Sequence, residues 1–199
     1  MLRKASLFLL AIMVSVGSAH AGVKPGDGIL FLNVGYANGK STVSGNNLDG
    51  GVFGFDYEKM DWGNPVSGGI MAGYSKIHES VSSDTTDYTI TTMPIFLGGK
   101  YWFGKDKIQG YVGAAFGMYF AKLEASASTV VAGKPVGGSY TSETGLGVGL
   151  GIPVGVAFSV GKTVMLSANY MLNWLWDNKF LDNDIINSAS AGVIFRFGD

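Results

Sequence analysis

Four ionisable residues, Asp56, Glu58, Lys100 and Arg196, interrupt segments that are otherwise almost free of charge. Two acids and two bases balance, and charges enclosed together must be paired or hydrogen-bonded to be tolerated. Such a set can serve as a structural plug or as an ion path gated by the same groups. A second candidate is His78-Glu79-Ser80, which holds the one histidine beyond residue 20. Histidine beside serine suggests a hydrolase, but the base needs a third group to orient it and none is identifiable. His78 therefore reads as a solvated loop residue, and no catalytic residue is assigned. The glycines at 145, 147, 149 and 151 never complete G-x-G-x-x-G, because Leu150 and Ile152 intervene and no helix follows. One histidine without cysteines gives no metal-ligand set. Asp177, Asp182 and Asp184 could hold Ca²⁺, although an acidic loop reads first as merely solvated, so no metal or other cofactor is expected.

What positions these residues begins with the compartment. Arg3 and Lys4 precede an apolar run from Ala5 to Gly17, and Ala19-His20-Ala21 is a small-x-small cleavage site. Residues 1–21 read as a secretory signal peptide and residues 22–199 as one domain. Without Arg3 and Lys4, the 14 basic residues fall to 12 against 15 acids, a net charge of −3 that offers nucleic acid no basic face. The chain has no cysteine, which removes disulfides, thiolate nucleophiles and cysteine-rich zinc sites. Only 15% of residues are charged, against about 25% in ordinary soluble domains, while 31 are glycine and 13% are aromatic. No second long apolar run follows the signal. A chain this apolar hides its hydrophobic side chains in a sandwich core or shows them to lipid as a closed barrel.

Period-two alternation decides between these, because it recurs from end to end. Eight strands are predicted over Ile29–Asn38, Gly51–Asp61, Ser67–Ile77, Tyr88–Phe103, Ile108–Ala121, Thr144–Val160, Thr163–Trp176 and Ile186–Phe197. One face carries rows such as Leu30, Leu32, Val34 and Tyr36, or Val112, Ala114, Phe116, Met118 and Phe120. The other carries Asn33, Asp56, Glu58, Lys100, Tyr111, Tyr119, Asn169, Asn173, Ser188, Ser190 and Arg196 among glycines. Apolar-out and polar-in inverts a soluble protein and predicts an all-β, eight-stranded antiparallel up-and-down transmembrane barrel. Connections alternate too: Lys40–Gly50, His78–Asp87, Lys122–Glu143 and Asp177–Ile185 are long and polar, whereas Trp62–Val66, Gly104–Lys107 and Gly161–Lys162 are tight. Loop three, with Lys134 as its one charge between Ala125 and Ser142, suits an adhesive or flexible flap. Aromatics gather in two belts, Trp62, Tyr101, Phe158, Phe195 and Phe197 near the turns and Tyr36, Tyr74, Phe120, Trp174 and Trp176 near the loops.

Thr144–Val160 alternates glycine with aliphatic residues. Its aliphatic row should face lipid and its glycines the lumen, which eight strands leave only just wide enough for side chains. Two fillings of the space beside those glycines are open. Phe96, Trp102, Tyr111 and Tyr119 from other strands could occupy it, or it could be a cavity for an acyl chain or small apolar ligand.

The closing octet Ser190-Ala191-Gly192-Val193-Ile194-Phe195-Arg196-Phe197 resembles the C-terminal β-signal of bacterial outer-membrane proteins, with Ser190, Gly192, Phe195 and Phe197 at the matching positions and Gly198-Asp199 added after it. Thr92-Met93-Pro94-Ile95 with Gly99-Lys100-Tyr101-Trp102-Phe103 is similar to the fourth strand of the small porin-family barrels of the OmpX, opacity-protein and OmpA-membrane-domain type. The resemblance covers the whole of residues 22–199. It implies recognition of the last strand by the barrel assembly machinery, and a lumen plugged by the Asp56, Glu58, Lys100 and Arg196 network. It further implies a location in the cell outer membrane, reached through the periplasm, among lipid and lipopolysaccharide. The expected role is structural or surface interaction, by adhesion or envelope integrity, from a monomer whose outward loops meet a host or surface ligand. The alternative is a lipid-modifying enzyme or small-ligand transporter using the glycine-lined lumen.

Overall fold

Residues that alternate bulky apolar and small or polar side chains fit a pleated surface, and here they also give each strand one face for lipid and one for the interior. The computed structural model describes residues 26–40, 46–60, 65–80, 86–105, 107–131, 134–176 and 184–198. Its strands are β1 Gly28–Lys40, β2 Asn47–Met60, β3 Val66–Ser80, β4 Thr86–Lys105, β5 Ile108–Val131, β6 Lys134–Ser159, β7 Val164–Trp176 and β8 Asp184–Phe197. Each pairs antiparallel with the next, and β8 returns to β1 from Gly28↔Phe197 to Lys40↔Ile185. Closure leaves no unpaired edge around the wall, as a bilayer requires. The expected up-and-down barrel is the fold observed. Residues 1–21, Trp62, Asn64, Asp177 and Asp182 lie outside the described residues.

The polarity is inverted as the alternation predicts. Leu97 and Val34 are 69% and 67% exposed on the outside, while Phe31, Trp102 and Tyr119 are fully enclosed. Aromatic pairs on the outer surface include Tyr101 with Phe103 near the turns and Trp174 with Trp176 near the loops, at 6.4 and 6.1 Å between centroids. Gly104, at φ +111°, makes the tight β4–β5 turn, a conformation that a side chain would strain.

Two prolines sit inside strands and face the lumen. Pro94 has no N–H to offer β3, and that ladder stops at Ala72↔Ile95 and resumes at Ser75↔Thr92. Pro153 leaves the same gap on β5, between Val112↔Val154 and Ala115↔Gly151.

Loop three departs from the sequence reading. The segment expected as a polar flap continues β5 and β6 as a paired ribbon, from Lys122↔Thr144 to Val131↔Lys134, with a register shift between Ser128 and Val130. Once a ladder exists, further Ser, Thr and Val pairs extend it without closing a new loop. Apolar alternation stops there, in a run of Ser, Thr, Ala and Gly residues, which is why the pattern failed to mark it as strand.

Candidate functional site

At the turn end the lumen is filled by an ion-paired cluster inside an aromatic box. Inward parity brings Phe31 from β1, Asp56 and Glu58 from β2, Ser67 from β3, Lys100 and Trp102 from β4, and Tyr111 from β5 into one layer. Ser67 lies directly across the ladder from Lys100, and Lys100 across from Gly113. A Cβ at Gly113 would stand 2.9 Å from Lys100 Cγ, so the glycine makes room for the lysine stem. Lys100 Nζ lies 2.6 Å from Glu58 Oε1 and 2.9 Å from Asp56 Oδ2. It also sits 3.7 Å above the Phe31 ring centroid and 5.2 Å from that of Tyr111, positions where the π-face attracts a cation. Ser67 donates its hydroxyl to Glu58 Oε2 and accepts the Trp102 indole N–H at 3.0 Å. Phe31, Trp102 and Tyr111 pack at 4.9–5.8 Å between centroids. The layer is enclosed, apart from Asp56, whose side chain keeps 15% of its exposure.

Arg196 is not in this cluster. Its Nε lies 3.9 Å from Asp27 Oδ2 at the turn-end rim. Arg196 and Glu58 share a row, but Ile29 of β1 stands between them, pairing with both. Parity places a residue on the inner face without saying how far round the wall its partner is. Asp27, Ser67 and Phe31 are the partners that spacing missed; Ser67 had a signal, being the inward position beside Lys100 across a predicted ladder.

The loop end is closed by an apolar layer that includes Leu48, Ile77, Ile90, Leu175 and Ile186. Between the two layers the β6 glycines do not front a cavity. A Cβ at Gly147 would meet the Tyr119 ring at 2.6 Å, and one at Gly149 would meet Phe96 Cζ at 3.1 Å. At Gly151 it would run into Met171 and at Gly155 into the Tyr111 hydroxyl. Three of the four side chains nominated from the sequence fill that wall, and Trp102 joins the turn-end box instead. Open space among the described residues includes a chamber of about 120 Å³ in the lumen, lined from all eight strands by residues that include Asn33, Gly54, Asp56, Pro94, Asn169 and Ser190.

On the outer surface, His78 Nδ1 and the Thr89 hydroxyl are 3.0 Å apart. Both are surface groups near the loops, and Asp49, across the ladder from His78, accepts the Tyr36 hydroxyl at 2.9 Å. The side chain of Ser80 lies outside the described residues. Among the described residues, no three His, Cys, Asp or Glu side chains gather as a metal set. At the base of the ribbon, Glu124 Oε1 takes hydrogen bonds from Lys122 Nζ and the Tyr140 hydroxyl, each at 2.6 Å. Those bonds, Lys122 first, hold the Glu124 carboxyl below its ordinary value and raise Lys122 and Tyr140 above theirs.

On β8, Phe197 faces outward and is exposed, and Ser190 lines the chamber. A side chain at Gly192 would collide with Asn33 and the Leu32 carbonyl. Tight closure of β8 on β1 thus requires that glycine.

Residues 6–197 match the family described as "Outer membrane protein beta-barrel domain". No curated protein matches the chain. Among solved structures, Neisserial surface protein A (NspA) is 20% identical, with a TM-score of 0.54, covering 86% of this chain and 99% of its own. Ail, the attachment invasion locus protein of Yersinia pestis, is 15% identical at 0.53, covering 87% and 99%. OprG of Pseudomonas aeruginosa is 11% identical at 0.52, covering 89% and 99%. At these identities the likeness is one of fold. Matched along nearly its whole length, the chain belongs to the outer-membrane β-barrel protein family, and with it to the Gram-negative outer membrane.

Proposed function

We propose that this chain is a monomeric surface-interaction and envelope-integrity protein whose working part is the β5–β6 ribbon rather than the lumen. One contrast carries the reading. The lumen is packed at both ends, whereas β6 runs on from Gly147 to Lys134 after its last pair with β7, Val148↔Trp176. At about 3.3 Å per residue that stretch is about 45 Å long. The ribbon presents Tyr140 from β6 and, at its base, Lys122 and Glu124 from β5 to the outside, where loops of rigid scaffolds commonly meet their partners.

The remaining steps belong to the same proposal. Residues 1–21 direct export to the periplasm and are removed. Ser190, Gly192, Phe195 and Phe197 present the last strand to the barrel assembly machinery. The outward rows rest against lipid and, near the loops, lipopolysaccharide. The rival reading is a lipid-modifying enzyme or transporter working through the glycine-lined lumen; along the β6 glycines it meets side chains rather than open space.

The test replaces residues 126–139 with an Asn-Gly hairpin turn. The expected result is a barrel that still assembles in the outer membrane, on cells that bind host cells or matrix less and resist detergent less. Full retention of both properties overturns the proposal, as does turnover of labelled lipid A or phospholipid by the purified protein.

A further inference from the structure

The outer surface near the loops is stratified across four neighbouring strands. Lys76 of β3, Thr91 of β4, Lys122 of β5 and Thr144 of β6 pair in turn and form one outward row. One outward position nearer the turns stand Tyr74, Met93, Phe120 and Leu146, all large and 42–53% exposed. One outward position nearer the loops stand His78, Thr89, Glu124 and Ser142, again paired in turn. Successive tiers lie about 7 Å apart, at about 3.3 Å per residue along a strand.

The lysines mark the edge of the apolar wall. On β3 and β5 the outward positions up to Tyr74 and Phe120 carry no charge, so Lys76 and Lys122 are the first charges met on the way to the loops. A groove crosses this edge, lined by Thr91, Met93, Phe120, Lys122, Thr144 and Leu146, with Lys76 beside it across the ladder from Thr91. Lys122 Nζ lies 2.6 Å from Glu124 Oε1, which engages one of its three N–H donors and leaves two. Glu124 belongs to the tier above, and no acid stands in the lysine row or below it on the outer face of these four strands.

Each tier fits a different partner group. The large side chains take an acyl chain, the two ammonium groups take anions on flexible stems, and the upper tier offers donors and acceptors to hydroxyls. Lys76 and Lys122 are two strands apart, about 10 Å at the usual strand spacing, so they can meet two anionic groups of one headgroup. A glycolipid with phosphorylated sugars carries acyl chains, phosphates and hydroxyls in that order. A simple phospholipid brings one phosphate, and a soluble anion brings no chain.

We propose that Lys76 and Lys122 hold the phosphate groups of an outer-leaflet glycolipid, with one acyl chain in the groove of Met93, Phe120 and Leu146 and the sugar against the tier above. The inference deepens the proposed function and rests on its reading that the loops face outward. It assigns the lipid contact to the wall below the ribbon, not to the ribbon.

The experiment uses the full barrel, refolded in non-ionic detergent and titrated with lipid by native mass spectrometry. The probes are bisphosphorylated lipid A, the same lipid A stripped of its phosphates, and phosphatidylglycerol. The bisphosphorylated form should bind most tightly. Lys76→Gln with Lys122→Gln should weaken it by roughly thirtyfold, the effect of two lysines beside an anionic lipid, and Lys76→Arg with Lys122→Arg should retain it. Both side chains are exposed, so the barrel should still fold. Lys107→Gln with Lys162→Gln removes the same charge at the turn end and should change nothing. Equal binding of the dephosphorylated form, an equal loss in the turn-end variant, or unaltered affinity without Lys76 and Lys122 overturns the proposal. Phosphatidylglycerol bound as tightly as bisphosphorylated lipid A also overturns it, since the wall would then select charge alone. The barrel shortened at residues 126–139 keeps all three tiers and should bind the glycolipid normally. If shortening abolishes cell binding while the intact barrel ignores lipid A, this inference falls and the ribbon reading stands; the converse pair of results spares the lipid site and removes the ribbon reading.

Discussion

The ring of Tyr119 lies across the bare backbone of Gly147, 2.6 Å from where a Cβ would stand. Overpacking of a filled interior costs about 1–3 kcal/mol. Gly147→Ala should lower the stability of the refolded barrel by that amount in urea titrations, and Gly147→Leu should block assembly. Tyr119→Leu, combined with Gly147→Ala, should recover part of the loss. Two losses that simply add would show that the ring is not what fills the space.

Lys100 is the single base facing Asp56 and Glu58 in the turn-end layer. Lys100→Met should cost about 3–5 kcal/mol, since removing one member strands the others. Lys100→Met with Asp56→Asn and Glu58→Gln should be less damaging than Lys100→Met alone. The comparison needs only the unfolding midpoints of the two variants.

The two packed layers predict an electrically quiet barrel. Trp102 and Phe31 close the turn end together with Tyr111. In planar bilayers the wild-type protein should show no steady conductance. Trp102→Ala with Phe31→Ala should introduce small openings, and steady wild-type current would favour the gated ion path instead.

Glu124 at the ribbon base gives a pH signature. Its carboxyl is held below the ordinary value of 4.5, chiefly by Lys122 and then by Tyr140. A lowered folded value means that the stabilisation is complete above the ordinary carboxylate range and fades as pH falls through the lowered value. Lys122, raised above 10.5, runs the other way: its contribution is complete below that value and is lost as pH climbs past the raised one. Because these groups are exposed, the effect should be local. Hydrogen exchange at ribbon amides should speed up below pH 4 while the wall stays protected, and Glu124→Gln should flatten that acid response.

Alternation alone made much of this architecture readable. It assigned Leu97 and Val34 to lipid and Lys100, Tyr111 and Tyr119 to the interior, because a period of two leaves a side chain only two directions. It could not say which interior residues meet. Arg196 has the right face, yet Ile29 separates it from Glu58 and it turns to Asp27. The β5–β6 ribbon escaped notice because its run of Ser, Thr, Ala and Gly residues has no apolar period. The chamber escaped for a related reason: Gly54 and Gly147 look alike in sequence, and only the length of the side chain opposite distinguishes a filled wall from an empty one.

Because the ribbon is the unbroken continuation of two wall strands, a tug on its tip along the strand direction reaches the barrel as shear. The bonds that tie β5 to β4 and β6 to β7 run crosswise to that direction and would bear the load side by side rather than parting one after another.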